Sequence, residues 1–234
     1  MKTKSHYIPF LALCILLLLS CKKDNFDAPK ASLTGQLVYN GESIGLEYNK
    51  VNYELYQPGF GKTGPIGSTF TPEGGFSHLL FDGNYKLVIP AGQGPFLWKQ
   101  TAAGKPDSIA VTLRGNTNIN IEVRPYFMIR NPQLSYSAAS VTATCRLEQI
   151  VTGVDAKTIE RVTLYISKTR FADSQTNIAT AQVAGTEITD LNTIVLKVTV
   201  PTLVPTQNYI FARIGVKFSG VDDMIFAPTI KLNL

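Results

Sequence analysis

Apolar residues in the first half of the chain recur at every second position, in short runs. Leu33, Gly35, Leu37 and Tyr39 alternate with polar neighbours, and Val51, Tyr53 and Leu55 repeat the pattern. Phe70 follows a glycine-rich loop, and then come Phe76 to Leu80, Tyr85 to Ile89, Ile109 to Leu113 and Ile119 to Val123. A period of two puts successive side chains on opposite faces of a strand, so each run predicts a half-buried β-strand. Turn sequences separate the runs: Asn40-Gly41, Pro72-Glu73-Gly74-Gly75, Asp82-Gly83-Asn84 and Gly115-Asn116. About seven short strands with frequent glycine turns predict a β-sandwich over residues 31–125.

Arg124-Pro125 marks the boundary, because proline ends a strand ladder. Residues 126–234 predict a second sandwich. Its strands are expected at Phe127 to Ile129, Val141 to Leu147, Arg161 to Ile166, Ile194 to Val200, Tyr209 to Lys217 and Ile225 to Leu232, with a short edge piece near Ala179 to Val183. Ser219-Gly220-Val221-Asp222-Asp223 turns the last hairpin. Long helical patterns are missing and no internal repeat relates the halves. The predicted fold class is all-β, two β-sandwich domains in series.

One apolar run does not alternate. Ile8 to Leu19 is apolar apart from Pro9; Lys2 and Lys4 precede it, and Ser20-Cys21 follows. This is the layout of a secretory signal, and it is too short for a transmembrane helix, which needs about 20 apolar residues. A short membrane anchor or an ordinary secretory signal is the competing reading. With cysteine in the first mature position, the run resembles a bacterial lipoprotein signal. That resemblance implies a signal peptide over 1–20 and lipidation of Cys21, followed by a polar tether over 21–30. Asp24 and Asp27 in that tether resemble the surface-export signal of Bacteroidetes lipoproteins; an ordinary solvated linker explains the same charges. The expected address is the outer membrane, lipid-anchored, facing the cell surface.

Processing changes the charge and the cysteine count. Of 22 basic residues, loss of Lys2 and Lys4 leaves 20 against 17 acidic ones, a balance of +3 scattered along the chain. That is no footprint for nucleic acid. Of three cysteines, Cys14 leaves with the signal and Cys21 carries lipid, so Cys145 has no partner for an internal disulfide. Alternation places Cys145 on the apolar face with Val141 and Leu147, where a structural thiol is expected rather than a nucleophile.

Candidate chemistry is sparse. His78 is the one histidine left after processing, and its neighbour Ser77 faces the other side of a strand, which rules out a nucleophile–base pair between them. With one histidine and one thiol, no zinc site and no other cofactor is expected. Gly59-Phe60-Gly61-Lys62-Thr63-Gly64 falls short of a phosphate loop: Tyr56 stands where a glycine is needed, and Pro65 precedes a strand-like stretch rather than a helix. Asp222 and Asp223 are consecutive in a turn and diverge, so they read as solvated turn residues, not as a glycosidase pair. Asp155, Glu160, Asp173 and Asp190 lie near loops that sequence cannot bring together. No enzymatic activity is expected.

Aromatic residues in loops carry more. Tyr56, Phe60, Phe96 and Trp98, the sole tryptophan, flank the glycine- and proline-rich connections Gln57 to Gly67 and Pro90 to Gly94. Exposed rings stack on the apolar face of a sugar, with Gln93, Lys99 and Gln100 near enough in sequence to serve its hydroxyls. The same rings serve equally to cap the sandwich or pack on the second domain.

Family resemblances follow from particular motifs. Leu33-Thr34-Gly35-Gln36-Leu37-Val38, Gly74-Gly75-Phe76 and Leu80-Phe81-Asp82-Gly83-Asn84-Tyr85-Lys86-Leu87-Val88 resemble the carboxypeptidase-regulatory, transthyretin-like domain, in which Tyr85 enters the core. Leu203-Val204-Pro205 with Tyr209, Phe211 and Arg213 resembles the tyrosine corner of fibronectin-like and immunoglobulin-like domains. The whole mature chain resembles uncharacterised two-domain surface lipoproteins of Bacteroidetes, through the block Cys21 to Pro29, Ile89-Pro90, Gly94-Pro95-Phe96 and Tyr209 to Val216. That resemblance implies neighbours rather than a reaction: starch-utilisation-type outer-membrane transporters and glycan-binding lipoproteins as partners, with polysaccharide as ligand. The expected function is a non-catalytic accessory of a polysaccharide-utilisation system, binding glycan or docking to a transporter. The alternative is a structural or protein-interaction lipoprotein with no small-molecule ligand.

Overall fold

The structure is a computed structural model that describes residues 27–59 and 64–234. Cys21 and Phe60 lie outside the described residues. The first sandwich contains β1 (Ala31–Tyr39), β2 (Glu42–Ser43), β3 (Gly45–Leu46), β4 (Asn52–Tyr56), β5 (Ile66–Thr69), β6 (Gly75–Leu80), β7 (Gly83–Val88), β8 (Phe96–Leu97), β9 (Ser108–Leu113), β10 (Thr117–Glu122) and β11 (Arg124–Pro125). The second contains β12 (Phe127–Ser137), β13 (Ser140–Gln149), β14 (Ile159–Ser167), β15 (Ala179–Ala184), β16 (Ile194–Thr199), β17 (Tyr209–Phe218), β18 (Met224–Phe226) and β19 (Ile230–Asn233). Among the described residues no helix is long and apolar enough to cross a membrane.

Each sandwich faces two sheets together. In the first, β1 lies between β6 (antiparallel) and β10 (parallel), and it opposes a sheet in the order β5-β4-β7-β9. In the second, β12-β13-β16 opposes β15-β14-β17. The alternation read from sequence sets which residues turn inward. Leu33, Leu37, Leu55, Leu87 and Leu113 are sealed from solvent, as are Val162, Leu164, Ile214 and Val216. Burying each such side chain contributes about 1.5–3 kcal/mol. Tyr85 enters the core, and its hydroxyl donates to the Phe81 carbonyl at 2.8 Å, which satisfies its polar end. Gly35 is forced by crowding at the centre of β1: a Cβ there would stand 2.0 Å from the Ile119 carbonyl and 2.5 Å from the Phe76 ring.

The two cores are continuous. Phe218 meets Phe127 (stacked, 5.6 Å) and Tyr126 (edge-on, 5.7 Å) where the sandwiches join. The backbone crosses as well: β3 of the first domain extends the second domain's sheet, Leu46 pairing with Ile225 and Gly45 with Phe226. Arg213 on β17 is buried beside this joint. It donates from Nε to the Ala227 carbonyl (2.7 Å), from Nη1 to Leu46 (2.9 Å) and from Nη2 to Pro72 (2.8 Å), and its guanidinium lies 4.5 Å from the centre of the Phe226 ring. Burial pushes its pKa down to about 10, with Glu73, Asp173 and Glu47 opposing the shift, so it stays charged at neutral pH.

Three sequence expectations are corrected. The strand expected to stop at Ile129 runs on to Ser137 as β12, because a bulge between Arg130 and Gln133 absorbs Asn131 (φ 50°) and Pro132 without ending the ladder. The hairpin that returns it turns on Ala138 (φ 47°) and Ala139 (φ 57°), two alanines in the left-handed region, where no glycine or asparagine advertises a turn. The strand expected from Ile225 to Leu232 splits into β18 and β19, which pair with successive stretches of β17 on either side of Pro228. No hydrogen bond from the Tyr209 hydroxyl is found among the described residues. Gln207 holds that loop, donating to the Tyr209 and Lys168 carbonyls at 2.7 and 3.2 Å, while Lys231 sits over the Tyr209 ring at 4.1 Å.

Candidate functional site

The loop between β7 and β8 ends in Gly94-Pro95, with Phe96 opening β8, and packs against the turn between β17 and β18. Asp223, expected to be a solvated turn residue, is buried instead and accepts the Gly94 N–H at 2.6 Å. Desolvation raises the Asp223 pKa; the Gly94 N–H opposes that rise. Gly94 has a φ of 83° and lies over the Phe96 ring, which a Cβ would approach to 2.2 Å, so both backbone and space exclude a side chain. The Tyr126 N–H donates to the Pro95 carbonyl at 3.2 Å, and β8 pairs with β11. The Gly-Pro-Phe loop is thus a mortise into which the second domain fits.

Beside this joint lies a cleft of about 250 Å³, walled on one side by the loop from Ile89 to Pro106 and on the other by Lys157, Gly220, Val221 and Asp222. Trp98 stands in its wall, half-buried against the core. Its indole N–H donates to the Asp107 carbonyl at 2.9 Å, which pins the ring at the base of a hairpin closed by Thr101 and Lys105. Asp107 accepts the Ser108 N–H at 2.8 Å and meets Lys99 at 3.5 Å; mainly through the Ser108 bond, its carboxyl is held below the usual range. Gln93 and Gln100 reach the cleft from the first domain. The Gln93 Oε1 already accepts the Asn52 backbone N–H (2.7 Å) and side-chain amide (3.0 Å).

Of the four rings expected to form a stacking surface, three are described, and Tyr56 stands apart from Phe96 and Trp98. Phe96 is a correction: expected as an exposed ring, it is only 3% exposed and packs in the core beneath Gly94, at the floor of the cleft. Tyr56 ends β4 away from the cleft, half in solvent, its hydroxyl donating to Glu54 at 2.6 Å. Phe60 is not described. Trp98 and Phe96 line the cleft, with Trp98 the more exposed of the two, and Lys99 does not reach it. The cleft's other wall was invisible in sequence, because nothing local in Lys157 or Gly220–Asp222 signals that they face residues more than fifty positions away.

Two other candidates settle as structural. Cys145 is buried, and burial raises its pKa to about 11, so the thiol is unreactive at neutral pH. His78 is half-buried on β6, with its Nε2 2.5 Å from the Tyr53 hydroxyl, and desolvation lowers its pKa. Ser77 points the other way, to solvent. Among the described residues no cluster of three histidine, cysteine or acidic side chains is placed to hold a metal.

Two sandwiches in series, sharing a core and an interdomain cleft, define a two-domain all-β protein. The model described as "Protein of unknown function (DUF3823) N-terminal domain" matches residues 31–124, and that described as "Domain of unknown function (DUF3823_C)" matches residues 127–231. The chain belongs to the DUF3823 family. A crystal structure of a DUF3823 protein from Parabacteroides merdae is 35% identical, with a TM-score of 0.76 over 88% of this chain and 100% of that one. One from Bacteroides ovatus is 29% identical, TM-score 0.75, with the same coverage. A Bacteroides uniformis structure described as a "putative carbohydrate binding protein" shares the fold at 17% identity, TM-score 0.69, again over 88% and 100%. No curated protein matches the chain.

Proposed function

We propose that the protein is a non-catalytic accessory lipoprotein of a polysaccharide-utilisation system, held by acyl chains on Cys21 to the outer membrane and engaging glycan at the interdomain cleft. The observation that carries the reading is Trp98: an aromatic ring fixed in a cleft wall beside the amides of Gln93 and Gln100, the combination that serves a sugar's apolar face and its hydroxyls. The Bacteroides uniformis relative's description agrees with it. The anchor reading rests on the Ile8–Cys21 run, where each buried methylene of an acyl chain contributes about 0.8 kcal/mol to membrane attachment.

The test is glycan-array binding by the chain from Lys22 onward, which keeps every described residue. Binding that disappears in Trp98→Ala and persists in Trp98→Phe supports the cleft. Mass spectrometry of the native protein checks the anchor, since a bare Cys21 thiol or a retained leader would refute it. Protease shaving of intact cells tests surface exposure.

Docking to an outer-membrane transporter is the second reading. It is favoured by the internal use of polar groups at the cleft, where the Trp98 N–H and Gln93 Oε1 are already bonded within the protein. Co-purification of a transporter with no measurable glycan binding would select it.

A further inference from the structure

β1 begins at Ala31, so one end of the first sandwich is where the chain arrives from Cys21. The pairing register shows what else stands at that end. Ala31 lies opposite Leu80 at the close of β6, and Gly83, which opens β7, lies opposite Leu113 at the close of β9. The turn from β9 to β10 folds against the same end: the Gly115 N–H donates to Asp82 Oδ1 at 2.8 Å, and the Ser32 hydroxyl donates to Asn116 Oδ1 at 2.8 Å. On the facing sheet β4 runs toward this end, Tyr56 pairing with Lys86 and Leu55 with Ile66.

Large apolar side chains are left in water here. Leu79 is 62% exposed, Phe81 44%, Ile66 39% and Tyr56 38%. Leu79 and Phe81 come from β6 and its turn, Tyr56 and Ile66 from the facing sheet, so together they form a collar around the end. Among the described residues of the first domain, Tyr48 is the other large apolar side chain so exposed, and it meets Phe171 at the joint with the second domain. Lys86 and Arg114 stand exposed within the collar. The acidic groups there have partners: Asp82 holds the Gly115 N–H, Glu54 the Tyr56 hydroxyl and Asp27 the Lys30 ammonium at 3.0 Å.

We propose that this collar docks on the lipid bilayer, so that the first sandwich stands end-on with Leu79 and Phe81 in the headgroup layer and the second domain faces away. The docking rests on the anchor proposed above. Exposed apolar side chains gathered at one end mark a contact with a protein or a membrane, and two features favour the membrane. The tether is short: nine residues, Lys22 to Lys30, separate Cys21 from β1, and at no more than about 3.6 Å each they keep the collar within roughly 35 Å of an anchored thiol. Such a tether holds the collar at an effective concentration of about millimolar, so a weak contact suffices. The chemistry also fits: aliphatic and aromatic groups enter the headgroup boundary, Tyr56 keeps its hydroxyl wet, and Lys86 and Arg114 meet lipid phosphates. The orientation has a consequence for the Trp98 cleft. β7 leads from the collar to the Ile89–Gly94 loop that walls it, and β1, which runs from the collar toward the second domain, spans about 30 Å, so the cleft stands well clear of the lipid.

Fluorescence quenching by lipids brominated in their acyl chains tests this. The chain from Cys21 onward, without lipid, is coupled through that thiol to maleimide lipid in phosphatidylethanolamine–phosphatidylglycerol vesicles; Cys145 is buried and does not compete. In a Trp98→Phe background, Leu79→Trp or Phe81→Trp makes a single-tryptophan reporter. Each should shift to the blue and be quenched on coupling. Val195→Trp, exposed on the second domain, and Trp98 in the otherwise unchanged chain should do neither. The reporter positions are exposed, and melting temperatures near wild type confirm folding. Leu79→Asp together with Phe81→Asp should free a Tyr56→Trp reporter from the quencher. Equal quenching of the Phe81→Trp and Val195→Trp reporters, or none of either, shows free tumbling on the tether and overturns the docking. A dimer of the uncoupled chain in sedimentation, dissociated by the two aspartates, gives the collar to a second copy and overturns it as well. Maleimide supplies the attachment whatever the native modification, so a failed docking here is distinct from a bare Cys21 in the native protein, which refutes the anchor and the docking with it.

Discussion

The carboxylate of Asp223 accepts the backbone N–H of Gly94 at 2.6 Å, joining two sandwiches across 129 residues of sequence. The bond is buried, and burial raises the Asp223 pKa above its ordinary value of 3.8. An acid whose folded pKa is raised binds more protons folded than unfolded between the two values. Its contribution is therefore complete below pH 3.8 and declines as pH rises through the folded pKa. Asp223→Asn keeps an acceptor for Gly94 and removes the charge, so the variant should gain stability relative to wild type as pH is raised from 3 to 7. Asp223→Ala leaves the Gly94 N–H unpartnered and should cost about 1–3 kcal/mol at any pH in that range. Urea unfolding of all three proteins across that range reads both effects.

Gly94 and Gly92 form an internally controlled pair. Their φ angles are nearly the same, 83° and 80°, but a Cβ at Gly92 meets open space and one at Gly94 strikes the Phe96 ring. Gly92→Ala should cost only the left-handed backbone penalty, about 1–2 kcal/mol. Gly94→Ala should cost clearly more, since the ring and the Asp223 bond must both shift. Equal losses in thermal melts would show that the loop, not the packing, governs this site.

Arg213 supplies three donors to three carbonyls drawn from both domains. Lysine cannot reproduce that fork, and methionine removes all three donors, leaving the Pro72 carbonyl only the Leu46 N–H. Arg213→Met should lose about 3 kcal/mol or more, and Arg213→Lys should fall between it and wild type. Denaturant midpoints give the ranking.

His78 couples stability to mild acid. Its pKa is lowered by desolvation, so the unfolded chain takes up a proton near pH 6.5 before the folded one does. The stabilisation is present above pH 6.5 and is lost as pH falls through the lowered folded value. Wild type should therefore melt at a lower temperature at pH 5 than at pH 7.5, and His78→Gln should show a smaller drop. The Tyr53 hydroxyl, 2.5 Å from Nε2, retains a partner in the glutamine variant.

Alternation alone placed Leu33, Leu37, Tyr53, Leu55 and Cys145 in the core, because facing in or out of a strand is a local property of period two. Glycine-rich turns divided the strands for the same reason. What sequence could not determine depends on which loops meet. Asp223 read as a solvated turn residue, and Glu47 and Asp173 carry no local sign of burial, yet each is buried through partners that only folding brings close. Phe96 and Trp98 lie two positions apart and both line the cleft, yet Phe96 is sealed in the core and Trp98 is only half-buried. Long-range packing made that choice, as it did when β3 joined the second domain's sheet and set Tyr48 against Phe171.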